Sequence, residues 1–112
     1  MSRASFAWRA AALAAVLAAT AFPVAAADTS AGRLKAQACA VCHGALGLSM
    51  TPDAPNLAGQ PELYVATQLR AYRSGKREHE VMSVMAKPLS DADIRELAAW
   101  YASLKIDVMV PP

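Results

Sequence analysis

The sequence predicts an all-α domain, and three observations support this fold class. Apolar residues recur at helical spacing in three stretches, and no segment alternates apolar and polar residues as a strand does. The segment 1–27 has the composition of an export signal, which leaves the segment 28–112 as one domain. Two loops of about a dozen residues separate the helices, and loops of that length usually carry function in so small a domain.

Residues 1–27 are predicted to be a cleaved signal peptide. Arg3 and Arg9 make its start positive, and the run 10–27 that follows is uncharged and rich in alanine. It ends in three alanines before Asp28, a small-residue pattern that signal peptidase accepts. The alternative is a retained membrane anchor, although the run 10–27 is at the short limit for crossing a bilayer.

The charge of the remaining domain, 28–112, gives no basis for nucleic acid binding. The whole chain has a formal net charge of +2, but the signal removes two arginines and leaves 9 basic and 9 acidic residues. A domain of this length buries only a modest core. Domains of this size often depend on a disulfide, a metal or a cofactor for stability.

The first helix is predicted from about residue 30 to residue 42, with Thr29 or Ser30 as its cap. Its apolar residues at helical spacing are Leu34, Ala38 and Val41. The segment 47–60 that follows contains Gly47 and Gly59 near its ends and Pro52 and Pro55 inside it. It is therefore predicted to be an irregular loop.

The second helix is predicted to open at Pro61 and to end at Gly75. Proline suits the first position of a helix, and glycine suits the residue that ends one. Its apolar residues at helical spacing are Leu63, Val65, Leu69 and Tyr72. Residues 76–89 are predicted to form a second loop.

The third helix has the strongest start signal in the chain. Ser90 is predicted to cap it with Asp93 three residues further on, and Asp91 faces the positive end of the helix. The apolar stripe of this helix consists of Ile94, Leu97, Ala98, Tyr101 and Leu104.

Both cysteines of the chain lie in the segment Cys39-Ala40-Val41-Cys42-His43, for which four interpretations compete. A disulfide between them would close a very small ring and would leave the histidine unexplained. A thioredoxin-like redox pair needs a strand before its helix. A zinc site needs four ligands. The candidates are Cys39, Cys42, His43 and His79, but His43 directly follows Cys42 and is poorly placed to bind the same ion.

Covalent haem attachment is the interpretation that uses every residue of the segment. Cys39 and Cys42 are three residues apart, so on a helix they share one face and can form thioethers to one porphyrin edge. His43 then brings its imidazole under the ring as an iron ligand. A large apolar cofactor would also supply core to a domain that has few helices.

A sixth iron ligand should lie downstream of this segment, and methionine is a neutral, soft donor for it. The available methionines are Met50, Met82, Met85 and Met109. Met50 is too close to His43 to reach the opposite face easily, and Met109 lies beyond the last helix. Met82 and Met85 both sit in the loop before that helix, where the chain can fold across the haem. His79 is the rival ligand, although a lone histidine flanked by two glutamates is more often solvated.

At these residues the chain resembles the class I c-type cytochromes. It is most similar to one half of the dihaem cytochromes c of the c-four type and to their single-haem relatives. The matching segments are CAVCHG, APNLAGQPELYVATQLRAYRSGKR and VMSVMAKPLSDADIRELAAWYASL. The resemblance covers nearly the whole of the predicted mature chain, from Ala31 to about Leu104. The resemblance implies three to five helices wrapped around one covalently bound haem c.

The resemblance also implies roles for individual residues. Cys39 and Cys42 would hold the haem, and His43 and Met82 would ligate its iron, with Met85 as the alternative to Met82. The carbonyl of Pro55, in the loop that follows His43, would accept the ring N–H of that histidine. Leu57 and Leu69 would pack on the haem. Gly32 would lie where the first and last helices cross, beside Trp100.

The implied function is one-electron transfer in the periplasm of a Gram-negative bacterium. An iron with His and Met ligands has no open position for a substrate, so the chain is predicted not to be an enzyme. The donor would be a quinol-oxidising complex or a dehydrogenase, and the acceptor a terminal oxidase or reductase. One alternative is a haem subunit of a periplasmic dehydrogenase complex. Another is a haem enzyme or gas sensor with a labile sixth ligand.

The chain departs from the dihaem proteins in having one attachment motif instead of two. It is therefore predicted to act as a single-haem protein, to pair with itself or to serve as a subunit. Contact with a membrane is predicted only if the signal is retained as an anchor.

Overall fold

The computed structural model describes residues 28–112, and these form five α-helices and no strand. The helices are α1 (Ser30–Lys35), α2 (Ala40–His43), α3 (Glu62–Ser74), α4 (Met82–Ala86) and α5 (Asp91–Ser103), with a 3-10 turn, Ala36–Ala38, after α1. The predicted all-α class is confirmed. The predicted signal peptide, 1–27, lies outside the described residues and stays a prediction. Within 28–112, no helix has the length and apolar character needed to cross a membrane.

Helix α5 is the centre of the fold, because both α1 and α3 pack against it. Its buried residues follow the predicted helical period and are Ile94, Leu97, Ala98, Trp100 and Tyr101. Leu97 and the two aromatic residues form one core cluster with Ala36, while Ile94 and Ala98 form a second with residues of α3. One helix therefore links the N-terminal part of the domain, which carries the cysteines, to α3.

The first helix is shorter than predicted, because the 3-10 turn separates α1 from α2. The residues buried here are Gly32 and Ala36, whereas Leu34 and Val41 are 66% and 85% exposed. Small residues occupy the buried face because α1 crosses α5 at close range. A Cβ at Gly32 would overlap the carbonyl oxygen of Glu96 and would lie 2.8 Å from the Cβ of Trp100. The predicted crossing of the first and last helices at Gly32 is thus confirmed.

Two ion pairs also connect helix α1 to α5. The Lys35 ammonium lies 3.2 Å from the Asp93 carboxylate and 3.0 Å from that of Glu96. Exposed ion pairs contribute little to stability because solvent and salt screen them, so packing at Gly32 is the stronger constraint on the crossing. The predicted side-chain cap by Thr29 or Ser30 is absent from α1. Instead, the Asp28 carboxylate accepts a hydrogen bond from the backbone N–H of Ser30 at 2.9 Å.

Helix α3 begins at Glu62, one residue after the predicted start at Pro61, and Gly75 terminates it as predicted. Gly75 has a φ of 81°, the left-handed conformation that glycine adopts without strain. The segment 76–89 was predicted to be a loop and contains the short helix α4, which packs against α3. The Arg73 guanidinium holds the chain after α4 by donating to the Leu89 carbonyl at 2.9 Å and the Asp91 carboxylate at 2.6 Å.

The predicted cap of α5 is confirmed as a reciprocal capping box. The Ser90 hydroxyl accepts from the backbone N–H of Asp93 at 3.0 Å, and the Asp93 carboxylate accepts from the backbone N–H of Ser90 at 2.9 Å. These bonds to Ser90, together with the Lys35 ammonium, hold the pKa of Asp93 below its usual value. Two of the free N–H groups at the start of α5 are thereby satisfied.

Replacing Ser90 with alanine should lower the free energy of unfolding by about 1 kcal/mol, because the amide of Asp93 loses its acceptor. Denaturant unfolding of the haem-loaded protein measures this loss. Ser74→Ala is the matched control, since the Ser74 hydroxyl donates to a carbonyl in the last turn of α3 and caps no helix start. Equal losses in the two variants would contradict a capping role for Ser90.

Candidate functional site

The two cysteines and His43 are presented by α2 and the residue before it. Cys39 is the N-cap residue that precedes α2, Cys42 lies in its single turn, and His43 is its last residue. Residues three apart on a turn share one face. Both thiols are free; Cys39 is partly buried against the core and Cys42 is exposed. His43, in contrast, is only 7% exposed.

The loop that follows α2 fixes the tautomer of the neutral His43 ring. Its Nδ1 lies 2.8 Å from the carbonyl oxygen of Pro55. A carbonyl can only accept a hydrogen bond, so Nδ1 carries the proton and Nε2 keeps its lone pair. A buried imidazole fixed in this way is suited to ligate a metal through Nε2.

The same loop is fastened to the end of α2 by hydroxyl groups. Ser49 and Thr51 both donate to the carbonyl of Cys42, at 3.0 and 3.3 Å, and the side chain of Asn56 accepts from the backbone N–H of Ser49 at 2.7 Å. These bonds satisfy a carbonyl that the end of the helix leaves without a partner. Sequence reasoning did not identify them, because polar residues in a loop of this kind give no signal of which carbonyl they bind.

Tyr101 brings α5 against the attachment segment. Its side chain is 2% exposed and packs in the core cluster that Cys39 borders. Its hydroxyl is buried and has no oxygen or nitrogen partner within residues 28–112. Burial, chiefly, and the neighbouring Cys39 thiol raise the pKa of Tyr101, and burial also raises the pKa of the Cys39 thiol. The sequence identified Tyr101 only as a member of the apolar stripe.

The paired methionines lie on α4, a separate element. Met82 is the first residue of this helix and is half-buried, whereas Met85 is 41% exposed. The structure thus groups Cys39, Cys42, His43 and Pro55, and carries both methionines on a helix packed against α3. Leu57 and Leu69 are both partly buried against the core, Leu57 beside the first cluster and Leu69 between the two.

His79 has the opposite tautomer to His43. Its Nδ1 accepts hydrogen bonds from the backbone N–H groups of Val81 and Met82, both at 3.2 Å. The proton therefore lies on Nε2, and Nδ1 has no lone pair available for iron. This arrangement argues against His79 as the rival ligand.

The competing interpretations of the cysteine pair find little support in residues 28–112. That part of the chain has no strand for a thioredoxin-like site, no disulfide, and no group of three acidic, histidine or cysteine side chains able to hold a metal ion. A haem fits the residues present. The two thiols are three residues apart around one helical turn, and the hydrogen bond from Nδ1 of His43 leaves Nε2 available for iron.

Comparison with known proteins supports the same interpretation. The family model for cytochrome c matches residues 30–105. The chain is 44% identical over 84 residues to cytochrome c4 of Pseudomonas aeruginosa, which covers 75% of this chain and 42% of the relative. It is 51% identical over 73 residues to a thiosulfate dehydrogenase electron acceptor of Thiomonas intermedia, covering 63% and 33%. The chain thus spans less than half the length of these two curated relatives.

A relative of similar length and a solved structure complete the comparison. The chain is 42% identical over 79 residues to cytochrome c-554(548) of Halomonas halodenitrificans, covering 68% of this chain and 95% of that protein. The crystal structure of reduced recombinant cytochrome c4 from Pseudomonas stutzeri superposes with a TM-score of 0.65 and 38% identity, over 71% of this chain and 47% of the other. The predicted class I cytochrome c fold is confirmed, and the chain belongs to the cytochrome c family, whose cofactor is covalently attached haem c.

Proposed function

We propose that the protein is a one-electron carrier of the periplasm, with a haem c attached to Cys39 and Cys42. The observation that carries the proposal is the buried His43 ring, whose Nδ1 proton is held by the Pro55 carbonyl at 2.8 Å. This bond directs the lone pair of Nε2 away from the loop and leaves it free for iron. Met82 is proposed as the second axial ligand, with Met85 as the alternative.

The chain's own residues hold the site rigid. The hydroxyls of Ser49 and Thr51 fix the carbonyl of Cys42, and the Pro55 carbonyl fixes the His43 ring. When bound, haem c supplies an iron that is stable in the ferric and ferrous states. A site whose ligands stay in place in both states requires little reorganisation, which favours electron transfer.

Two axial protein ligands would leave no position for a substrate, so we propose that the protein is not an enzyme. Its partners are proposed to be redox proteins that bind briefly over a small interface. The donor is a quinol-oxidising complex or a dehydrogenase, and the acceptor is a terminal oxidase or reductase. Location in the periplasm rests on the predicted signal peptide of residues 1–27.

A second candidate function is that of a haem subunit that accepts electrons within a dehydrogenase complex. The similarity to a protein named as the electron acceptor of thiosulfate dehydrogenase favours it. Stable co-purification with a large dehydrogenase would support this candidate, whereas recovery as a free single-haem protein would support the carrier.

Carbon monoxide binding to the haem-loaded, reduced full chain tests the proposed function. We expect no binding of carbon monoxide, because both axial positions are filled. A redox titration should show a single reversible one-electron transition. Ready binding of carbon monoxide by the wild-type protein would contradict the proposal and would favour a haem enzyme or gas sensor. The ferric spectrum provides a second readout, because methionine ligation gives a weak far-red band.

A further inference from the structure

The side chain of His79 caps the N-terminal end of α4. Its Nδ1 accepts from the backbone N–H of Val81 and from that of Met82, at 3.2 Å each. The backbone of His79 adds two more bonds, since its N–H donates to the Ser83 hydroxyl at 3.1 Å and its carbonyl accepts from the Ser83 N–H at 2.9 Å. His79 is thus hydrogen-bonded to each of residues 81, 82 and 83.

This arrangement has the geometry of an asparagine or aspartate cap made with an imidazole. In histidine, Nδ1 is bonded to the atom after Cβ, the position that Oδ1 occupies in asparagine. A side-chain acceptor there reaches the N–H groups two and three residues further along the chain. The sequence hid this cap, because histidine is uncommon among capping residues.

A cap matters more for α4 than for a longer helix. Helix α4 has five residues, and so short a helix does not form without outside support. Its C-terminal end is anchored by Ala86, which is fully buried, and the helix packs on α3. Its N-terminal end carries Met82, and the side chain that accepts from this N-terminal backbone is that of His79.

We propose that His79 is a positioning residue for the sixth iron ligand. By accepting the N–H of Met82 itself, the His79 ring fixes the backbone from which the thioether extends. The inference rests on the proposed function, in which Met82 ligates the iron. Loss of the cap increases the fraction of molecules in which Met82 has left the iron, and an added ligand can then bind there.

The test compares His79→Ala, His79→Asn and His79→Gln in the haem-loaded, ferric full chain. Imidazole is the added ligand, and loss of the far-red band is titrated against its concentration. Alanine removes the acceptor and glutamine places it one atom too far, so both should strengthen apparent imidazole binding about fivefold. Asparagine keeps an acceptor at the right distance and should leave binding within about twofold of wild type. Glu80→Ala, at an exposed neighbouring position, controls for general disturbance of the segment.

Amide hydrogen exchange provides a readout that does not depend on the haem. The N–H groups of Val81 and Met82 should exchange faster in the alanine and glutamine variants and at the wild-type rate in the asparagine variant. Unchanged imidazole binding in His79→Ala would overturn the inference. It would also be overturned if His79→Asn bound imidazole as strongly as His79→Ala. Failure of the proposed function looks different, because the far-red band would then be absent from wild type. A band retained in Met82→Ala would instead remove the premise of the inference, since Met82 would not be the ligand.

Discussion

Replacing Met82 with alanine should remove the far-red band of the ferric protein and make the reduced protein bind carbon monoxide. Alanine cannot ligate iron, so the sixth position opens. Methionine stabilises ferrous iron and raises the reduction potential. We expect the potential to fall by at least about 59 mV, the shift that accompanies a tenfold loss of preference for the ferrous state. Absorption spectra with and without carbon monoxide, together with a redox titration, measure these changes.

Met85→Ala is the matched control, because the two methionines lie one turn apart on the same short helix. We expect this variant to keep the far-red band and to exclude carbon monoxide. A reversed pattern, with the far-red band lost only in Met85→Ala, would identify Met85 as the sixth iron ligand. Retention of the band in both single variants would show that neither is required for methionine ligation.

Replacing Gly32 with alanine should destabilise the protein, although helix propensity alone predicts the opposite. Alanine within a helix is more favourable than glycine by roughly 0.5–1 kcal/mol. At Gly32, however, the new methyl would overlap the backbone carbonyl of Glu96 and lie 2.8 Å from the Cβ of Trp100. Neither atom is at the end of a flexible side chain, so α1 and α5 must move apart.

We expect Gly32→Ala to lower the free energy of unfolding by about 2 kcal/mol or more, and the midpoint of thermal unfolding by about 10 °C. Gly75→Ala separates this effect from backbone strain. Its Cβ would have no heavy atom within 4 Å, but its φ of 81° is unfavourable for alanine and should cost about 1 kcal/mol. A Gly32 variant as stable as wild type would contradict the close packing of α1 on α5.

The sequence predicted the fold where one local signal determined the local structure. The capping pair at Ser90 and Asp93, and the glycine that ends α3, are set by neighbouring residues and were found. Helix α4 was missed, because five residues are too few to show a helical period. The break after α1 was missed because no glycine or proline marks the 3-10 turn Ala36–Ala38 in the sequence.

The sequence predicted the chemistry of the candidate site, but not all of the hydrogen bonds and packing contacts around it. Cysteine spacing and the histidine that follows indicate haem attachment without any structure, and the resemblance added Pro55 and Met82. The cap formed by His79 and the buried hydroxyl of Tyr101 require knowledge of which backbone or side-chain atoms lie nearby. The sequence indicated His79 only as a rival iron ligand or a solvated side chain, and Tyr101 only as part of an apolar stripe.

The bond between the His43 ring and residue 55 has a consequence for mutational scanning. The acceptor is a main-chain oxygen, so any side chain that preserves the path of the loop preserves the acceptor as well. A scan of position 55 would then report tolerance at a contact that orients the proposed iron ligand. The contact is instead vulnerable to insertions and deletions between residues 43 and 55, because these displace the carbonyl itself. A change in loop length, more than a change of residue 55, is therefore expected to alter the orientation of the His43 ring.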